Sequence, residues 1–161
     1  MSERLSRELG AVLDRYDAVR SAAEVRARQV RDEEGIFLGR FAQLVQSVVR
    51  PVFEAAGRIL RQRGHDYRIV EDHFATEDDG KTMEASIRLR VAPAGVERAL
   101  DDERWALAFT TRHYSHTVSV RNGAVPYEGA AGAKGVHPLE SIDQPLVEAE
   151  VLRLMEALVK R

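Results

Sequence analysis

The sequence predicts an α+β domain: two N-terminal helices, an antiparallel meander of four to five strands, and one C-terminal helix. Three observations carry that expectation. Apolar residues recur at steps of three and four from Leu5 to Ile59, the repeat of a helix face. From Met83 to Val91 they alternate with polar residues, the repeat of a half-buried strand. Asp79-Gly80 and Asn122-Gly123 are hairpin signals, and consecutive hairpins make an antiparallel sheet.

Ser2 to Glu34 reads as the first amphipathic helix. Leu5, Leu9, Val12, Tyr16, Val19, Ala23 and Val30 keep alternating steps of four and three, with Arg26 interrupting the seam once. That is a heptad pattern. Glu3, Arg4, Arg7, Glu8, Asp14, Arg15, Asp17 and Arg20 place interleaved charges on the other faces. So narrow a stripe suits a helix–helix seam better than a broad sheet. Its partner is either the same helix of a second subunit or the next helix of the same chain.

The second helical stretch, Ile36 to Leu60, is the most apolar of the chain. Phe37, Phe41, Leu44, Val48, Val52, Ala55 and Ile59 line one face, and Val45, Val49 and Phe53 widen it. A helix this apolar needs cover on two sides. The acidic run Asp32-Glu33-Glu34 disfavours a helix C-terminus and favours the start of the next one. A break near Asp32 with a helical hairpin is therefore expected, with a kinked rod through Gly35 as the alternative, because Val30 and Phe37 stay in phase. Pro51 should kink or divide this helix near Val49-Arg50. Arg61-Gln62-Arg63-Gly64 closes the helical part, residues 1–63.

Residues 65–128 read as the sheet. A first strand from His65 to Phe74 has Tyr67 and Ile69 inward. After the turn Glu77-Asp78-Asp79-Gly80, a second strand points Met83, Ala85, Ile87, Leu89 and Val91 inward. Ala94 to Glu103 connects it to a third strand carrying Trp105, Leu107 and Phe109. A turn at His113 to Ser115 leads to a fourth with Val118 and Val120 inward, and Val125 and Tyr127 suggest a short edge strand limited by Pro126. Residues 129–142, beginning GAAGAKG, read as a flexible loop. In 143–161 Asp143 caps the final helix, Pro145 lies in its first turn, and Val147, Val151, Leu154 and Leu158 form its apolar face.

A chain of 161 residues suits one domain (1–161) that buries roughly 70% of its unfolded surface. Its 44% hydrophobic and 31% charged residues are those of a soluble globular protein. A formal net charge of −2 gives no argument for polyanion binding from the total alone. The absence of cysteine excludes disulfides, thiolate metal sites and a cysteine nucleophile, and fits a cytoplasmic protein. The start, MSERLSRELG, lacks the apolar run of a signal peptide. The apolar run Phe41 to Val49 is far short of the ~20 residues that span a bilayer.

Few stretches suggest chemistry. His113 and His116 stand three apart in a strand–turn–strand region, His137 lies before Pro138, and no HExxH is present. His73 sits among acids, but without the spacing of a calcium loop. Ser115 lacks a GxSxG context, and the glycines of 129–135 fit no phosphate-binding pattern. No catalytic residue, metal or cofactor is expected. Charge layout says more: Arg50, Arg58, Arg61, Arg63 and Arg68 cluster between the second helix and first strand, and Glu71 to Glu84 is acidic. Arg88, Arg90, Arg112 and Arg121, with His113, Tyr114 and His116, are a possible binding face.

The expectation is a cytoplasmic, non-catalytic protein-interaction module, adaptor or chaperone-like. It would be homodimeric through Leu5, Leu9, Val12, Tyr16, Val19 and Ala23 and present its sheet face or acidic hairpin to another protein, with no membrane partner. The alternatives are nucleic-acid binding through the arginine-bearing face and a small-ligand or metal-binding, enzyme-like domain using the His113/His116 region.

Overall fold

A computed structural model describes residues 2–124 and 135–160, with side chains as far as Ala157 in the last helix. It has a helix-rich N-terminal part, a five-stranded antiparallel sheet and a C-terminal helix. The chain divides into two compact units, Met1–Ile36 and Phe37–Arg161.

The first helix, α1, runs without a break from Glu3 to Leu44. Ser2 caps it, its Oγ accepting from the N–H of Leu5 at 3.1 Å. The hairpin expected near Asp32 does not form, and Gly35 lies inside the helix. A glycine there costs about 1 kcal/mol relative to alanine, less than opening a turn of backbone hydrogen bonds. A Cβ at Gly35 would meet nothing within 4 Å, so no close crossing requires a glycine.

From Val45 to Val49 the helix widens into a π turn, in which the N–H of Arg50 donates to the carbonyl of Val45. It then continues as α2, Arg50–Gln62. Pro51 has no N–H, and its ring crowds the carbonyl four residues back; the wider turn accommodates both. This turn also corrects the expected inward face. Buried positions are Phe37, Phe41, Val45, Val49, Phe53, Gly57 and Leu60, whereas Ile59 is 57% exposed. Val45, Val49 and Phe53, expected to widen the face, are its buried line, whereas Leu44, Val48, Val52 and Ala55 are only partly covered.

Arg61 to His65 end α2 with a left-handed glycine. Gly64 has φ +87°, its N–H donates to the Arg61 carbonyl, and that of His65 donates to Leu60. Strand β1, Asp66–Asp72, pairs with β4, Ser86–Ala92. Between them lies a small hairpin of β2, Ala75–Thr76, and β3, Thr82–Met83, closed by the acidic turn with Gly80 at φ +83°. Met83, expected inward on the long strand, is exposed on this hairpin. Two short 3-10 turns, Ala99–Asp101 and Glu103–Trp105, lead to β5, Ala106–Arg112, and β6, Thr117–Asn122, follows. The order in the sheet is β1-β4-β5-β6-β7, all antiparallel.

The edge strand β7 is Val136–Pro138, within the segment expected to be loop. It pairs Val118 with His137, and a 3-10 turn at Leu139–Ser141 follows. The suggested edge strand at Val125 and Tyr127 and the glycines at 129–134 lie outside the described residues. Helix α3, Gln144–Lys160, starts as expected at Asp143, whose Oδ1 accepts from the N–H of Leu146 at 3.0 Å.

In the second unit one sheet face carries Ile87, Leu89, Val91, Leu107, Phe109 and Val118. It packs with Phe53 and Val49 and with Val147, Val151 and Leu154 of α3. Helix α2 approaches β1 closely: a Cβ on Gly57 would clash with the ring carbons of Tyr67. Gly57→Ala should therefore lower stability by about 1–3 kcal/mol through overpacking, although alanine is the better helix former. Gly35→Ala, facing open space, should raise it by up to about 1 kcal/mol. Urea unfolding of the three proteins at one concentration distinguishes the opposite signs.

Candidate functional site

The heptad stripe on α1 is the first candidate. None of residues 2–36 is buried. Leu5, Leu9 and Val12 are each about half exposed, Tyr16 is 61% exposed and Val19 67%; Val30 continues the stripe, Leu13 flanks it, and both are about half exposed. Ala23 is exposed as well. Exposed apolar side chains occurring singly are ordinary, whereas a contiguous row marks a surface that takes a partner. The ion pairs Arg4–Glu8 at 3.2 Å and Arg20–Glu24 at 3.5 Å join successive turns. They are too solvated to account for the helix by themselves.

The second candidate is the sheet face turned away from the helices. Paired residues share a face and alternate along each strand. The register sets Arg68 opposite Arg90, and Arg88 opposite Ala108, which is itself opposite Arg121; Arg112 falls on the same face. The sequence-predicted arginines are therefore brought together, joined by Arg68. Part of their charge is already met. Glu103 lies 2.9 Å from Arg90 and 3.8 Å from Arg88, and the Leu100 carbonyl accepts from Arg90 at 3.0 Å. The Nε of Arg88 is buried without a hydrogen-bond partner among the described residues.

His113, Tyr114 and His116 sit in the turn between β5 and β6 but serve different contacts. The Glu84 carboxylate accepts from the backbone N–H of His113 at 3.2 Å, and both its oxygens lie 2.9 Å from Nδ1. An ionised carboxylate only accepts, so Nδ1 carries the proton. Phe74 and Tyr114 meet the His113 ring edge-on. The Tyr114 hydroxyl accepts from Arg112 at 2.6 and 2.8 Å. His116, at φ 54°, stacks on Phe37 with centroids 5.4 Å apart. Among the described residues no three His, Cys, Asp or Glu side chains gather as a metal site. Glu84 was not evident as the partner of His113, since their contact depends on how the β2–β3 hairpin returns to the sheet.

A third feature was legible only in part. Arg50, Glu54, Arg58 and Arg61, on one side of α2, line a groove of about 520 Å³ with Asp66, Tyr67, Arg68, Ile69 and Leu100. The clustered arginines meet here, except Arg63. Arg50 pairs with Glu54 and Glu71, both at 3.5 Å. Arg61 bonds Asp66 at 3.2 Å and lies 4.4 Å over the Tyr67 ring. The Tyr67 N–H, and then Arg61, hold the Asp66 carboxyl below its ordinary range. The lining is cationic, and its two acids are held by its own arginines.

Comparison of the chain with protein-family models, with curated proteins and with solved structures finds no match. No helix among the described residues is long and apolar enough to cross a membrane.

Glu84 also lies 3.4 Å from the Thr111 hydroxyl, so one carboxylate ties the β2–β3 hairpin to the β5–β6 turn. Glu84→Ala strips the acceptor from a half-buried backbone N–H and should cost about 1–3 kcal/mol. Glu84→Gln, which keeps an acceptor, should lose less. Urea midpoints should fall in that order.

Proposed function

We propose that this protein is a non-catalytic protein-interaction module, adaptor or chaperone-like, that pairs with a second copy through the stripe Leu5, Leu9, Val12, Tyr16, Val19 and Ala23. The observation that carries the reading is that these residues are exposed along a helix with a sustained heptad repeat. Water contact along such a row is unfavourable, at roughly 1.5–3 kcal/mol for each large apolar side chain that burial would remove from solvent. A second copy supplies the same stripe by symmetry, so one surface covers both. The second unit, with its arginine face, its groove and the acidic β2–β3 tip, then remains as the surface offered to another protein.

Light scattering should give about twice 18.1 kDa for the chain and a monomer mass for Val12→Asp combined with Val19→Asp. A monomeric parent, or a variant whose mass is unchanged, would overturn the assignment. Circular dichroism of the variant should retain the sheet, because neither substitution lies in the second unit.

A second reading has one specific observation behind it. The strand register collects Arg68, Arg88, Arg90, Arg112 and Arg121 on one sheet face, the layout of a surface that tracks a single-stranded phosphate backbone. It predicts binding of single-stranded oligonucleotide that weakens steeply with salt and falls further on Arg88→Ala with Arg90→Ala. An absence of binding at low salt would end that reading.

A further inference from the structure

We infer that the two stripes run antiparallel, in the one register that sets Tyr16 opposite the partner's Val19. This rests on the homodimer reading above and adds the orientation, which the charges beside the seam determine. Leu9, Tyr16, Ala23 and Val30 occupy one seam position of the heptad, and Leu5, Val12, Val19 and Arg26 the other. Glu8, Arg15, Ala22 and Gln29 flank the first set; Ser6, Leu13, Arg20 and Ala27 flank the second. All lie on the uninterrupted helix α1.

In a parallel pair each seam residue meets its own copy. Arg26 then faces the partner's Arg26 between apolar layers, and beside the seam Arg15 faces the partner's Arg20. Two like charges brought together out of water are strongly unfavourable, and opposed charges beside the seam set orientation in coiled coils. In the antiparallel pair the two seam positions meet each other. With Tyr16 against Val19, the remaining layers are Val12 against Ala23, Leu9 against Arg26 and Leu5 against Val30. Each contact occurs twice by symmetry.

The flanks of this register are compatible throughout. Arg15 meets Ala22, Glu8 meets Gln29, and Arg20 lays its stem over Leu13. Arg26 enters beside the partner's Leu9, where the neighbouring Glu8 supplies the opposite charge. Sliding the helices by one heptad removes that compatibility. In one direction Arg15 faces its own copy, and in the other Arg20 does. Of these three registers, only the one that sets Tyr16 against Val19 keeps the flanking arginines apart.

The chain has no cysteine, so single cysteines report the pairing directly. Val12→Cys and Ala23→Cys would each be oxidised alone, and then together after joint unfolding and refolding. In the inferred register the two copies of position 12 lie roughly 16 Å apart along the axis, beyond the ~7 Å that a disulfide allows between Cα atoms. Positions 12 and 23 lie side by side. A covalent dimer that forms only in the mixture is the expected result. Leu5→Cys with Val30→Cys repeats the test at the ends if a central substitution disturbs folding. Cross-linking of each variant alone would show a parallel pair and overturn the orientation while leaving the dimer intact. A dimer mass without cross-links in either set would overturn this register, and a monomer mass for the reduced parent would overturn the dimer itself.

Discussion

Phe53 is fully buried against Phe109, with ring centroids 6.1 Å apart and a tilt of 50°, and the second unit is arranged about that contact. It brings the first turn of α2 onto the middle strand of the sheet. Every step leading to it, Phe37, Phe41, Val45, Val49 and Phe53, is four residues. Four residues overshoot a turn of regular α-helix by about 40°, so a line of such steps would wind off the sheet. The π turn over Val45–Val49 takes up the excess with its wider turn. Pro51, which would strain a regular helix, follows immediately and fits the geometry that the buried line requires.

The same docking explains why Gly57 and Tyr67 meet. With Phe53 seated, the next turn of α2 passes over β1, where only a glycine leaves room for the ring of Tyr67. Arg61, one turn further, covers the other part of that ring. The cationic groove is a product of this approach, because Arg50, Arg58 and Arg61 stand on the flank of α2 while Arg68 and the floor belong to β1. On the opposite face, the connection from β4 to β5 folds back so that Ala99, Trp105, Ala106 and Ala108 are buried. This gives β5 cover on both sides and lets Glu103 reach Arg88 and Arg90.

The sheet was legible because its signal is local. Alternation along Ile87, Leu89 and Val91, and along Leu107 and Phe109, determines which side chains point inward without reference to anything distant. The caps at Gly64 and Asp143 were legible for the same reason. The inward face of the second helix was read as wider than it is: Val45, Val49 and Phe53 are its centre and Ile59 falls outside it, since a period of 3.6 assumes a regular helix and the π turn does not keep it. Gly35 was misread because the acidic run before it and the glycine itself resemble an end, whereas ending a helix also needs somewhere for the freed carbonyls to go. Strand β7 has little pattern of its own: Val136, His137 and Pro138 become a strand through pairing with β6. The site residues divide along the same line. The arginine face followed from alternation, but the His113–Glu84 pair and the acids of the groove depend on long-range register.

The segment up to Ile36 differs from the rest in what sustains it. A helix standing on its own is favoured only weakly in water, because most helical stability in proteins comes from packing an apolar face. Here that face exists, in heptad spacing, and lies in solvent. The solvated ion pairs along it contribute little. Glycines at 10 and 35 subtract further, with no contact that calls for them. Sequence and structure are thus at odds within the single chain: the residue pattern specifies a packed seam, and the fold leaves the seam uncovered. Pairing two copies, as proposed above, would resolve both halves of that conflict, since it would cover the stripe and supply the packing the helix otherwise lacks. Arg26 is the telling position. An arginine in a seam is tolerated when an acid stands beside the opposing layer, and Glu8 occupies that place only when the helices run in opposite directions.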